Sequence, residues 1–294
     1  MTEKNMNPSR RDFLLGTGAT VTALSLADLL KPFEALAETP KKGGKFVYAG
    51  IPSSKHKTLK KAKHPYYGLE IRTTITYDRL TWVDENLNVV PQLATSWEAI
   101  EDNQTVWEAK IREGVKFHDG RDLTVDDVVA SYNMHKHKKL GTSFSKKLLK
   151  KIEKVGSQKV RFHLLSPNSE LPWWMAEYRQ AIMPADELSK MGYSGNGTGP
   201  FKFAKIDPGR RVIYEPNENY WGEGPYLDQL EVISQKGVDP VNAYLAGQID
   251  AILQADPGLV GQFKERDDTV VDFATSGDQI LMVLLILIPP WALA

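Results

Sequence analysis

The chain contains no cysteine. That excludes disulfides, thiolate zinc sites and cysteine nucleophiles, and it fits either a reducing or an oxidising compartment. Net charge is absent too, since 37 Lys plus Arg balance 37 Asp plus Glu. No global field therefore draws the protein to nucleic acid or anionic lipid. There is no internal repeat, no low-complexity segment, and no apolar run of the roughly 20 residues that a spanning helix needs. The signatures H-E-x-x-H, G-x-S-x-G and G-x-x-x-x-G-K are missing, which removes the common zinc-peptidase, serine-hydrolase and phosphate-loop readings. What remains is a 294-residue chain, 41% hydrophobic and 25% charged, long enough for one or two domains with a sizeable core.

Charge is unevenly spread. His135 to Lys154 holds eight Lys and one Glu, and Asp207 to Asp272 holds thirteen acids and five bases. Solvated surface is the plain reading of both. At the N-terminus, "SRRDFLL" places Arg10 and Arg11 before fifteen uncharged residues, Phe13 to Ala27, with small residues at Ala35 and Ala37 beyond. That order of parts reads as a twin-arginine export signal over residues 1–37, removed outside the cytoplasm. Asp28 and Glu34 interrupt it too early for a membrane span. The expected location is periplasmic, with the twin-arginine translocase as partner during export.

Beyond a linker at Pro40 to Gly44, "KFVYAG" reads as a first strand and Lys55 to His64 as loop. In "VWEAKI", Trp107, Ala109 and Ile111 alternate with Glu108 and Lys110, the period of a half-buried strand. "REG" predicts a turn, with "VKF" pairing back as a hairpin. Thr124 before Asp126 and Asp127 predicts a helix start, with Val125, Val128, Val129 and Tyr132 as its apolar stripe. "VRFHL", "VIYE", "LDQLEVI", "IDAIL" and "VVDF" read as further strands, with helices near Val241 to Gly247 and Leu259 to Arg266. Strands interleaved with helices indicate an α/β fold.

Candidate chemistry is sparse. His135 and His137 stand two apart, a spacing that does not share a helix face, so solvated helix surface is the reading preferred over metal ligation. "GNGTGPF" is glycine-rich but precedes a strand pattern, which predicts a turn and not a phosphate cradle. Polar-flanked aromatics are the better ligand candidates: Tyr66, Tyr67, Trp173, Trp174 and Tyr178. Aromatics with a polar tip suit pockets and cores alike. No catalytic residue, metal ligand or cofactor is assigned.

Several stretches together resemble one family. Pro91 to Tyr132, "PQLATSWEAIEDNQTVWEAKIREGVKFHDGRDLTVDDVVASY", is similar to the signature of family 5 extracellular solute-binding proteins. "YDRL" at Tyr77 to Leu80 stands before it, and "GTGPFKF", "NENYWGEGPYLDQLEV" and "AGQIDAI" follow in order. The resemblance runs from about Gly44 to about Phe273. It implies a receptor of an ABC importer, binding a peptide or other small solute and delivering it to permease transmembrane subunits. It also implies an α/β, periplasmic binding protein type II-like clamp. On that map residues 45–75 and 180–273 form lobe I, and 76–179 form an inserted α/β subdomain. Residues 274–294 start the crossover to lobe II, which this chain lacks; "QILMVLLILIPPWALA" departs from the family near Leu284. A clamp with one jaw leaves half its ligand in water, so weak solute binding is expected of the chain. An exported metal- or cofactor-binding enzyme and a non-functional fragment are the alternatives.

Overall fold

The structure is a computed structural model, and it describes residues 42–50, 73–84, 86–137, 142–188, 195–207, 210–234, 239–253, 263, 266, 269–274 and 282–287. The export signal, the Lys55 to His64 loop and most of the Leu259 to Arg266 helix lie outside the described residues.

Two principal sheets carry the fold. The smaller has four antiparallel strands in the order β4-β5-β7-β6. These are β4 (Ala94–Ala99), β5 (Val106–Ile111), β6 (Leu149–Val155) and β7 (Lys159–Leu164). Helix α1 (Val125–Lys136) packs on one face. Trp107, Ala109, Ile111, Val160, Phe162 and Ile152 meet Val125, Val128 and Tyr132 there. Tyr132 meets Phe162 edge-on, with centroids 5.0 Å apart. The helix starts where its cap dictates: Thr124 and Asp127 form a reciprocal capping box, and Asp126 pairs with Lys154 at 2.6 Å. A short helix, α2 (Ser143–Leu148), runs directly into β6.

The outer face of this sheet is polar, as the alternation in β5 and β7 predicts, but its charges are not simply solvated. The register sets Glu98, Glu108, Arg161 and Glu153 side by side across all four strands. Glu108 is buried beneath its partners, accepting from Arg161 at 2.6 Å and Lys159 at 3.0 Å. Those hydrogen bonds hold its carboxyl below the usual carboxylate range. Glu153 is held down to about 2 by hydrogen bonds from Lys151 and His163.

The larger sheet has seven strands in the order β12-β13-β11-β1-β10-β9-β8. Its centre is β1 (Lys45–Gly50), parallel to β10 (Gln229–Ser234) on one side and β11 (Ala251–Leu253) on the other. β8 (Phe201–Asp207) and β9 (Arg211–Pro216) continue antiparallel beyond β10. β12 (Thr269–Ala274) and β13 (Met282–Leu287) continue beyond β11. The sheet thus takes in Met282–Leu287, past Phe273, where the sequence reading closes lobe I. Phe201, Val212, Tyr214, Leu230 and Val232 form one apolar cluster on it. Ala49, Ile252, Ile249 and Phe263 form another with Ala243 and Tyr244 of α4 (Pro240–Leu245). A two-stranded ribbon, β2 (Thr81–Val83) with β3 (Val89–Pro91), and helix α3 (Leu171–Met175) complete the described elements used below.

Two sequence expectations are corrected. "VKF" does not return along β5, whose two edges are taken by β4 and β7. It bonds instead to the chain just after it: Phe117 N–H donates to Arg121 O and Leu123 N–H to Val115 O. His135 is not solvated helix surface. It is fully buried, its Nε2 lies 2.9 Å from Ala181 O, and its ring meets Tyr132 edge-on.

Candidate functional site

In open α/β sheets ligands bind outside the carboxyl ends of parallel strands, where successive connections diverge. Here that place is set by β1, because parallel neighbours flank it on both sides. The strands end at Gly50, Ser234 and Leu253. Gly50 leaves little room: a Cβ there would meet the Tyr48 ring at 3.0 Å and Val232 at 3.2 Å.

A knot of buried polar contacts joins this sheet to the smaller one. Its centre is Asp78, fully buried, whose carboxylate accepts three side-chain hydrogen bonds. Gln92 Nε2 donates to Oδ1 at 2.8 Å, and Trp221 Nε1 (2.8 Å) and Thr198 Oγ1 (2.9 Å) donate to Oδ2. Arg79 and Arg112 add favourable charge nearby. Burial pushes the Asp78 carboxyl up, and the Trp221 and Thr198 hydrogen bonds oppose that rise. Arg112 also lies 4.2 Å over the Trp221 ring and donates to Gln92 O.

The "GTGPF" turn is drawn in as tightly as backbone allows. A Cβ at Gly197 would stand 1.9 Å from Thr76 O, and one at Gly199 would stand 2.7 Å from Ile75 O. Only glycine permits that approach. His118 closes the turn from the other side, with Nε2 3.0 Å from Gly199 O and Nδ1 3.3 Å from Gly197 N. With the proton on Nε2, the ring donates to Gly199 O and accepts from Gly197 N–H. Burial lowers the pKa of His118. The turn leads into a strand, β8, as its sequence predicts.

The sequence-predicted ligand aromatics hang on this knot. Thr81 Oγ1 donates to Pro172 O at 2.6 Å and Arg79 Nη1 to Ala176 O at 3.0 Å, which straps α3 to the "YDRL" segment. On α3, Trp173 is 46% exposed, whereas Trp174 packs against the core of the four-stranded sheet. Tyr178 is half-buried against Tyr77, Ala181 and Met183, with Arg179 5.0 Å over its ring. Trp173, Trp174 and Tyr178 lie within one short stretch, and Trp173 is the most exposed of the three. Tyr66 and Tyr67 lie outside the described residues. Trp97 and Trp107 hold the scaffold positions expected of them: Trp107 is buried and Trp97 packs against the same core.

Asp78 was missed as a functional or architectural centre. Its only sequence signal is an acid set between aromatic and apolar neighbours in "YDRL", and its partners Thr198 and Trp221 are far along the chain. A separate cavity on the outer face of the four-stranded sheet is lined by Ser96, Trp97, Glu98, Glu108, Lys110 and Lys159. Its volume, about 120 Å³, falls below the roughly 300–1,000 Å³ of small-molecule sites. Among the described residues no group of three or more His, Asp or Glu could hold a metal ion, and no helix is long and apolar enough to cross a membrane.

The geometry matches known proteins. The chain is 33% identical over 186 residues to the oligopeptide-binding protein AppA of Bacillus subtilis, covering 58% of this chain and 33% of that one. It is 32% identical over 170 residues to the dipeptide-binding protein of Escherichia coli, covering 48% and 32%. Among solved structures, AgaA of A. tumefaciens R10 in complex with agropinic acid superposes with a TM-score of 0.70 at 26% identity, over 79% of this chain and 48% of that one. The matched part thus spans about a third of these relatives and about half of the solved structure. The fold is α/β, of the periplasmic binding protein type II class. Residues 88–291 match the family described as bacterial extracellular solute-binding proteins, family 5 Middle; the chain belongs to that family of solute-binding proteins.

Proposed function

We propose that the protein is the substrate-binding component of an ABC importer, exported by the twin-arginine route and working in the periplasm. It captures a peptide or similar small solute and hands it to the permease. The observation that carries this reading is the family match over residues 88–291, on a chain whose larger sheet has the parallel centre beside which α/β folds bind ligands. Relatives named for oligopeptides and dipeptides favour peptide as the solute. We assign residues 45–75 and 180–273 to lobe I and 76–179 to an inserted subdomain. Trp173 is the preferred ligand contact, with Trp174 and Tyr178 behind it and Tyr66 and Tyr67 as further candidates.

The matched part spans about a third of the curated relatives, so the test is chosen to read weak as well as tight binding. Titration with di- to pentapeptides, followed through the indole resonances by NMR, should give saturable shifts, and Trp173→Ala should weaken the binding read at the remaining indoles without changing the thermal midpoint. No saturable response to any peptide would overturn the assignment.

A further inference from the structure

The lysines of the His135 to Lys154 stretch do not disperse over the surface. Lys136, in the last turn of α1, sends its ammonium to the carbonyl of Lys150 on β6. Lys146 and Lys147 occupy the last turn of α2, which enters β6 one residue later. Lys136, Lys146, Lys147 and Lys150 thus stand on the three neighbouring elements α1, α2 and β6, Lys136 and Lys146 half-buried. The acids close by are engaged elsewhere: Asp126 by Lys154, and Glu153 by Lys151 and His163. Among the described residues no carboxylate pairs with Lys136, Lys146, Lys147 or Lys150. Lys147 and Lys150 are exposed.

Two local explanations cover part of this. β6 is an edge strand, and edge lysines keep strands from pairing with other chains. That accounts for Lys150, but not for Lys146 and Lys147 on α2. Cations also favour helix C-termini, but α2 has six residues, and the effect does not require leaving Lys146 and Lys147 without a carboxylate. In a chain with no net charge, such a concentration has the chemistry of a docking surface for a negatively charged plane.

We infer that the corner formed by Lys136, Lys146, Lys147 and Lys150 docks on the anionic phospholipid headgroups of a membrane. Contacts of this type are weak, additive per lysine and sensitive to salt. A receptor held this way would stay near the membrane surface and still exchange. The inference does not depend on which solute the protein carries.

The test is co-sedimentation of the full chain with vesicles of phosphatidylcholine alone, or mixed with phosphatidylglycerol. Binding is expected only to the mixed vesicles, with release as salt rises from about 0.01 M to about 1 M and the screening length shrinks from about 30 Å to about 3 Å. The triple variant Lys146→Glu, Lys147→Glu, Lys150→Glu should bind about tenfold more weakly or worse. It keeps the edge charged, so its circular dichroism and its oligomeric state should match the parent's. Lys110→Glu, at the other end of the sheet opposite Lys159, should bind like the parent. Equal binding to neutral vesicles, no binding to either, or an unaffected triple variant would each overturn the inference. So would binding that persists at high salt, which would mark an apolar contact or a protein partner.

Discussion

The four-stranded sheet is drawn from one continuous stretch, residues 94–164, while the seven-stranded sheet gathers strands from residues 45 to 287. The first is antiparallel throughout, with one face on α1 and the other carrying a ladder of charges. The second has a parallel centre, and β1 runs between two strands that follow it by most of the chain. Local pairing leaves a surface free to be polar and to take on side roles. Distant pairing brings the parallel strand ends side by side, and it must be held in register by something outside the ladder. Asp78, Trp221 and the turn Gly197 to Pro200, which holds Thr198, do this, and they belong to neither sheet's strands.

The sharpest way to break the contrast is to attack that joint. Asp78→Ala strands the buried Trp221 N–H, Thr198 O–H and Gln92 amide. The expected loss is about 4 kcal/mol, read by urea denaturation, and the two sheets should then unfold in separate steps. A single transition at the parent midpoint would show that the joint does not couple them. A smaller effect is confined to one side. Thr124→Ala removes the α1 cap and should cost about 1 kcal/mol. Hydrogen exchange should locate the change in the four-stranded sheet and leave β1 and β10 protected; equal loss in both sheets would contradict the division.

The mildest probe is pH. His118 is buried and its pKa is lowered from 6.5. The unfolded chain therefore takes up a proton that the folded turn resists. Stability is full above pH 6.5 and declines as pH falls from 6.5 toward the lower folded value. His118→Gln should flatten that slope while the carboxylate-driven loss at lower pH persists, because Glu153 titrates near 2. Parallel slopes between pH 7.5 and 5.5 would remove His118 from the account.

Much of the smaller sheet was legible because its signals are local. The alternation in "VWEAKI" and "VRFHL" and the Thr124 cap each fit within a few residues, and the strands and helix stand where those patterns put them. "VKF" was misread because the same short apolar run can pair backward or forward, and only the prior claim of β4 and β7 on β5 decides. His135 was misread because helix spacing says nothing of Ala181, whose carbonyl receives it. The joint was illegible in principle: nothing near Asp78 in the chain announces Thr198 or Trp221. Of the described ligand candidates, aromatic character and polar flanks picked out Trp173, Trp174 and Tyr178 alike, and only packing separates the more exposed Trp173 from the half-buried other two.

The position of β1 has a consequence in time. Lys45 finds its partner only at Gln229, and Tyr48 at Ala251, whereas every ladder of the smaller sheet closes within residues 94–164. Contacts between distant residues carry a larger chain-closure entropy and form late. During synthesis the smaller sheet can be complete while the first strand of the larger one still has nothing to pair with. The four-stranded sheet can then stand complete before the larger sheet is assembled, and the first strand made is among the last to be placed.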